Sequence, residues 1–419
     1  MTTRNERTIV SVVNPVCCGM DVHKKTISAC ILFTDHDGKE STVIREFGAF
    51  TDDLMCLRDW LLAHECPVVA MESTGVYWHP IHNVLEEHVA VVLVNARDVK
   101  NVPGRKTDIK DSEWLAGLLR HGLLRASFIP PREVRTWRDL TRMRRKYVNT
   151  ISDFKKRVQK LFESANIKVD SVVTDLFGVT GRNLMSLLAS GHDITMADIE
   201  RCVRGRLKSK THELYRSIQG FFNDNHRFIL QTLLSTIASL ENTVESLDRR
   251  IGNLMCDQTD LIDRMKEVPG ILDISARDII AEIGTTLDAF PSDDALASWS
   301  GLCPGNNESA GKRKNGKNHT RKNQLKPVMT EAAWAAARTK GTYYRDKYHR
   351  LKARRGHKKA IVAIAHKIIK CLYRIIKDGA RYSELGTDYL DKKTKAAKLY
   401  RLHKQAEAFG FQLIPVPIQ

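Results

Sequence analysis

No stretch of this 419-residue chain is apolar for long enough to cross a bilayer, so a membrane-spanning role is set aside. Met1 to Val13 carries Arg4 and Arg7 without a long apolar region behind them; it reads as a flexible lead-in and not as a signal peptide. The nine cysteines are odd in number, scattered, and contain no C-x-x-C spacing. That excludes a disulfide framework and a zinc site of recognised spacing, and it fits a reducing cytoplasm. Cys17, Cys18 and Cys30 lie in apolar runs and are read as core residues. Acidic residues are in deficit, 49 against 67 Lys plus Arg, for a formal charge of +18 and a pI near 9.5. Such an excess points to a polyanionic partner, nucleic acid above all. A ribosome-like or merely basic protein is the plainer alternative, weakened because the bases cluster. Hydrophobic residues at 42 % and charged residues at 28 % suit a soluble globular protein, and the length suggests two or three domains.

The first third reads as α/β. Val16–Val22, Thr26–Phe33 and Val43–Phe50, with the turn Asp35-His36-Asp37-Gly38, predict an antiparallel meander. A helix over Asp52–His64, a strand at Pro67–Met71, a helix over Trp78–Glu87 and a strand at Val89–Val94 follow, implying a mixed sheet with helices on its faces. After the turn Asn101-Val102-Pro103-Gly104, Thr107 or Asp108 is placed to cap a helix running to about Leu124. Pro130-Pro131 closes that unit. Arg132 to about Ser164 then reads as one long basic helix.

Ala165 to Gly220 is broken by glycines into short helical patterns. Leu230, Leu233, Ile237, Leu240, Val244, Leu247, Ile251 and Leu254 repeat in steps of three and four, an a/d seam that predicts a helix pair within or between chains, with a lean to self-association. Val268-Pro269-Gly270-Ile271 is a tight turn between helical patterns, ordinary on its own but able to bring backbone amides to a phosphate. Gly301–Asn323 reads as a loop, Leu325–Arg338 as an Ala-rich helix, Tyr343–Lys359 as strongly basic, and Lys359–Lys377 as an apolar-periodic helix. A charged tail after Gly379 ends in Pro415 and Pro417. The reading divides the chain into 12–165, a nuclease-like α/β domain with its basic helix; 166–260, helical with a coiled coil; 261–380, mainly helical; and 381–419, the tail.

Four carboxylates stand out in so basic a chain. Asp21 follows the first strand and Glu72 the fourth; if those strands are neighbours, the two meet at one sheet end. Asp108 and Asp111 are three apart at a helix start and so share a helical face. Strand Asp, strand Glu, helix Asp is the layout of a ribonuclease-H-like nuclease site, for which Mg²⁺, two ions per active site, is the natural cofactor. Each residue also has a plain structural alternative: Asp21 in a turn, Glu72 before a helix, Asp108 as an N-cap.

These residues resemble a known family. Gly19-Met20-Asp21-Val22-His23-Lys24, Met71-Glu72-Ser73-Thr74-Gly75 with Tyr77-Trp78, and Lys106-Thr107-Asp108-Ile109-Lys110-Asp111 with Leu115-Ala116 are similar to the motifs of the DEDD transposases of bacterial insertion sequences, the insertion sequence 110 family. Val268-Pro269-Gly270-Ile271, Glu282-Ile283-Gly284, Trp299-Ser300-Gly301-Leu302 with Pro304, and Ala360-Ile361-Val362-Ala363-Ile364-Ala365 resemble its second conserved domain. Ala165 to Phe228 has no match to the family. The resemblance implies a RuvC-like N-terminal domain, a coiled coil and a C-terminal transposase domain. It implies a recombinase that excises and inserts its own element through Holliday-junction-like intermediates, guided by a structured RNA from the element. It also implies assembly from dimer to tetramer, with domains of different subunits meeting at one active site, in a bacterial, nucleoid-associated setting. The catalytic serine it implies maps to Ser309 in Asn306-Asn307-Glu308-Ser309-Ala310-Gly311-Lys312, beside Lys312, Arg313 and Lys314, whose charge would offset that on a phosphate. Ala310, Lys322-Asn323 and Leu325-Lys326 depart from the family's usual glycine, Gly-Asn and Leu-Arg.

Three basic surfaces are expected to meet DNA or RNA. One is Lys312, Arg313, Lys314, Lys317, Arg321 and Lys322; another runs from Arg345 through Arg350, Arg354 and Arg355, interleaved with Tyr343, Tyr344 and Tyr348; the third is the 132–164 helix with Arg142 and Arg145. The rival readings are a Holliday-junction endonuclease without a covalent intermediate, a non-enzymatic basic nucleic-acid scaffold, and, well behind, a sugar-kinase-like phosphotransferase.

Overall fold

The computed structural model describes residues 11–35, 39–73, 75–95, 99, 110–304, 307–309, 312–315 and 323–412. Its contacts divide the chain into two compact units, 1–129 and 130–419. Among the described residues no helix is long and apolar enough to cross a membrane.

The first unit is built on a five-stranded mixed sheet of order β3-β2-β1-β4-β5. Strands β1 (Cys17–Val22), β2 (Thr26–Thr34) and β3 (Glu40–Gly48) form the antiparallel meander that their turn residues predict, and β4 (Val68–Glu72) and β5 (Ala90–Val94) run parallel to β1. β1 is therefore central, and it is apolar on both faces because both are covered. Helices α1 (Thr51–Ala63) and α2 (Trp78–Leu85) cover one face, where Leu57, Leu61, Ile81 and Leu85 pack on Cys18, Met20, Val69 and Met71. Helix α3 (Asp111–Arg120) covers the other, where Ala116 and Leu119 meet Cys17, Cys30, Leu32 and Ala70. The cysteines at 17, 18 and 30 are core residues, as their apolar setting predicts.

Gly19 sets how closely α3 lies. A Cβ at Gly19 would fall 2.1 Å from the Ser112 carbonyl oxygen and 2.3 Å from the Ala116 nitrogen, so helix backbone touches strand backbone there. The far end of α3 is pinned by buried Arg120, which donates to the Pro15 carbonyl (2.8 Å) and the Thr34 hydroxyl (2.6 Å) and pairs with Glu40 (3.3 Å). The helix ends at Arg120, short of Leu124, because Gly122 turns the chain with φ +66°. Its N-cap is Lys110 in extended conformation; the predicted caps Thr107 and Asp108 lie outside the described residues.

The second unit begins with α4 (Arg132–Ser164), whose bounds match the predicted basic helix. Packing groups α4 with this unit and not with the sheet, whereas the sequence reading attached it to the first domain. The short helices α5 (Val169–Val172), α6 (Val179–Ser190), α7 (Met196–Cys202) and α8 (Thr211–Ser217) fold over one end of α4 and of α9 (Asp224–Leu254). The a/d seam of α9 buries Leu230, Leu233 and Ile237 against Val158, Leu161 and Phe162 of α4 and Leu184 of α6. Lys155 meets Glu241 (3.6 Å) and Arg144 meets Asp248, so the two long helices run antiparallel. Over Leu230, Leu233 and Ile237 the seam thus finds a partner inside the chain, one of the two pairings its spacing allows.

The remainder is mainly helical: α10 (Thr259–Lys266), α11 (Asp273–Ile283), α12 (Asp293–Trp299), α13 (Leu325–Arg338), α14 (Tyr343–Arg355), α15 (His357–Asp378) and α16 (Tyr389–Ala408). Two readings change here. The 301–323 segment is not all loop, since β6 (Asn307–Ser309) and β7 (Lys312–Asn315) pair as a hairpin; polar strands of three and four residues give no alternation to detect. The charged tail contains α16, a helix with no buried residue and hence no apolar stripe to reveal it.

Candidate active site

The β1–β4 register pairs Cys18 with Val69, Gly19 with Ala70 and Met20 with Met71. One step further along both strands stand Asp21 and Glu72. Side chains alternate across a strand, and Cys17 and Gly19 face α3, as does Ala70. Asp21 and Glu72 therefore lie side by side on the α3 face, at the end of the sheet where their strands finish.

Asp111 reaches the same corner from the helix. It opens α3, and the next residue, Ser112, lies with its hydroxyl 3.4 Å from that of Ser28, the β2 register partner of Asp21. The close approach at Gly19 is what lays this first turn over the ends of β1 and β2. Three of the four predicted carboxylates thus stand on elements that end at this corner, Asp21 on β1, Glu72 on β4 and Asp111 on α3; the fourth, Asp108, lies outside the described residues. His23 joins unforeseen, its Nε2 3.2 Å from the Asp21 carboxylate, on the turn that leaves β1. Ser28 and Ser112 were also missed, because a serine pair 84 residues apart leaves no sequence pattern.

The donors are hard anionic oxygens, the set that suits Mg²⁺. Among the described residues no three His, Cys, Asp or Glu side chains are close enough to hold an ion as they stand. The fit lies in donor type and in the shared corner. Further back in the sheet, burial pushes the Cys17 thiol up to about 12 and Cys30 up to about 11, as befits core thiols.

In the second unit Ser309 ends β6 and pairs in register with Lys312, the first residue of β7, so the serine sits at the mouth of a two-residue connection. Glu308 pairs with Arg313, and a bulge falls between Asn307 and Glu308. Lys314 follows on β7, while Lys317, Arg321 and Lys322 lie outside the described residues.

The other predicted nucleic-acid contacts divide by partner. Arg142 grips buried Glu282 with both ends of its guanidinium (2.8 and 2.9 Å), Arg145 pairs with Glu331, and Arg138 donates to the Ala281 carbonyl (3.1 Å). This face of α4 is thus used to hold α11 and α13. Arg350 is shared by Asp346 (2.8 Å) and Asp391 (2.6 Å), which raise its pKa further. Arg345 is half-buried, whereas Arg354 and Arg355 are exposed at the end of α14, next to exposed Lys358 and Lys359 on α15. Tyr344 and Tyr348, which interleave with these cations in the sequence, are buried in the core. The Pro-Gly turn is also structural. Gly270 has φ +90°, and a Cβ there would fall 2.2 Å from the Ala332 carbonyl oxygen of α13, so the turn is pressed against a helix.

Residues 18–167 match the family model of an IS110-type DEDD transposase, and residues 262–349 match that of the transposase IS116/IS110/IS902 family. The first match extends through α4, past the end of the first compact unit. No curated protein matches the chain.

Proposed function

Since the chain belongs to the IS110 family of transposases, we propose that it excises and inserts an insertion-sequence element by metal-dependent cleavage and rejoining of DNA through a phosphoserine link. The observation that carries the metal half is the register of β1 and β4, which sets Asp21 beside Glu72 under the first turn of α3. Asp21, Glu72 and Asp111 would hold Mg²⁺, with Asp108 completing the set. When bound, the ion supplies Lewis-acid neutralisation of charge building on the phosphate under attack. Carboxylates on adjacent strands present hard anionic oxygens from two directions, as a hard divalent cation requires. His23, in contact with Asp21, is placed to orient that carboxylate.

Ser309 is the nucleophile. Its Oγ forms a bond to phosphorus, one P–O bond of the strand breaks, and the serine proton passes to the departing oxygen. Attack on the phosphoserine by a hydroxyl of the receiving strand reverses these changes, so bond energy is kept for rejoining. Cationic Lys312, Arg313 and Lys314 would offset charge on the phosphate. The exposed cluster Arg354, Arg355, Lys358 and Lys359 offers backbone contact that does not read sequence, which suits a protein whose target is chosen by pairing with an element-encoded RNA. Assembly as a dimer or tetramer, and the functional division at 165, 260 and 380, belong to the same proposal.

Ser309→Ala tests it. Strand exchange and any protein–DNA adduct are expected to vanish while nucleic-acid binding persists. Cleavage that continues without an adduct would transfer the reaction to a metal-activated water, as in a Holliday-junction endonuclease. Sequencing RNA that co-purifies with the protein tests the guide.

A further inference from the structure

A cavity of about 480 Å³ opens in the second unit between α14, α15 and the segment 380–385. Its size falls in the range of roughly 300–1,000 Å³ typical of small-ligand sites. We propose that it receives one unpaired nucleotide of a DNA strand, the phosphate on Lys367 and Arg374 and the base on Tyr382. This rests on the DNA-handling role above and adds a binding site to it.

The lining separates into occupied and available groups. Lys370 is held by Asp293 (3.3 Å) and Asp294 (2.8 Å), and Arg381 by Glu267 (2.8 Å), so both of these lining cations are already matched by carboxylates. Asp293, the acid in the lining, is thereby spent. Lys367 and Arg374, two turns apart on one face of α15, are exposed and make no ion pair among the described residues, although Lys367 lies within electrostatic reach of Asp294. Two such cations on one wall of a cavity suit the phosphates of a strand.

The aromatic side is built in advance. Tyr344 is buried and forms the floor. The Tyr382 ring lies nearly parallel to it, centroids 6.2 Å apart and planes 17° apart. Tyr382 is fixed at both ends: its backbone N–H donates to Glu267 (3.1 Å) and its hydroxyl to Glu384 (2.8 Å). A ring held this way costs little entropy to use as a stacking platform, and every base has a π-face to offer it. A free anion would use the cations but not the ring; an unpaired nucleotide uses both.

The test is equilibrium binding by the full-length protein in EDTA, which requires no cleavage and so stands or falls separately from the metal and serine chemistry. The probe is a single-stranded DNA oligonucleotide carrying one 2-aminopurine. Stacking on Tyr382 should quench its emission. Tyr382→Leu should abolish the quench and weaken binding roughly 5- to 100-fold. The same strand made abasic at that position should not respond to Tyr382→Leu. Lys367→Ala with Arg374→Ala, both at exposed positions where folding is not at stake, should lower the salt dependence by about 1.4 in log–log slope. A quench that survives Tyr382→Leu, or equal losses for the abasic and intact strands, would overturn the proposal. Displacement by an equal concentration of adenosine monophosphate, or much tighter binding of the matching RNA, would overturn the assignment to a DNA strand.

Discussion

Asp21 on β1 stands beside Glu72 on β4, one register step past the Met20–Met71 pair and on the face of the sheet that α3 covers. Two carboxylates so placed offer anionic oxygens that a divalent cation can bridge. Asp21→Asn and Glu72→Gln should each lower strand cleavage by at least roughly 100-fold at every Mg²⁺ concentration while DNA binding is retained. Nicking assays across a metal titration check this. Cleavage that persists in EDTA would rule the metal out.

Gly19 is the contact that lays α3 against β1. Gly19→Ala places a methyl group within 2.1 Å of the Ser112 carbonyl oxygen, and neither backbone has room to yield. The expected loss is about 3 kcal/mol or more of stability in urea denaturation, together with cleavage activity, because Asp111 moves with the helix. A variant as stable and active as wild type would show that the first turn of α3 does not shape the site.

Glu282 is buried and is gripped by Arg142, with Arg138 at 3.6 Å. Burial lowers the Arg138 pKa to about 10, a sign that its charge depends on nearby carboxylate. Removing Glu282 takes away the larger of the two carboxylate influences on that buried charge, Asp139 being the other, and breaks the Arg142 pair, so Glu282→Ala should cost about 3–5 kcal/mol. Arg142→Ala should cost less, since the Arg142 side chain is 46 % exposed and water can replace it. Chemical denaturation of both variants decides; the reverse order would mean that Arg142 is the anchor.

Asp278 lies near Arg144 and Arg145, yet burial pushes its pKa up to about 6. A carboxyl whose folded pKa exceeds its unfolded value of about 3.9 holds its proton more tightly when folded. Its stabilising contribution is complete below about pH 4 and is lost as pH rises through about 6. Asp278→Asn, uncharged at every pH, should therefore gain stability relative to wild type at pH 8 and not at pH 4.5. Thermal melts at the two values measure the difference. A constant difference would mean that Asp278 titrates normally.

The elements of this protein were legible where packing is periodic. The 132–164 helix and the Ala-rich 325–338 helix match their predicted bounds, and the meander and the two parallel strands fall within one to three residues of theirs. The β6–β7 hairpin and α16 were not legible, because strands of three and four polar residues and a helix with no buried face carry no hydropathy pattern. For the candidate site residues Asp21, Glu72 and Asp111, the position near an element end was legible in the sequence. Their neighbours Ser28, Ser112 and His23 were not, since nothing local distinguishes them.

By itself the sequence determined the strand-and-helix order that carries the carboxylates, the basic balance, and two sets of family motifs, because these are properties of neighbouring residues along the chain. Only the tertiary structure decided which cations remain available. Arg142, Arg145 and Arg350 look the same in sequence as Arg354 and Arg355, but the first three are paired with carboxylates 41 to 186 residues away. It decided likewise that Leu230, Leu233 and Ile237 of the α9 seam pack on α4 and that the strands carrying Asp21 and Glu72 are neighbours. Hydropathy period specifies that a face must be covered; the covering partner follows from long-range contacts that no local pattern encodes.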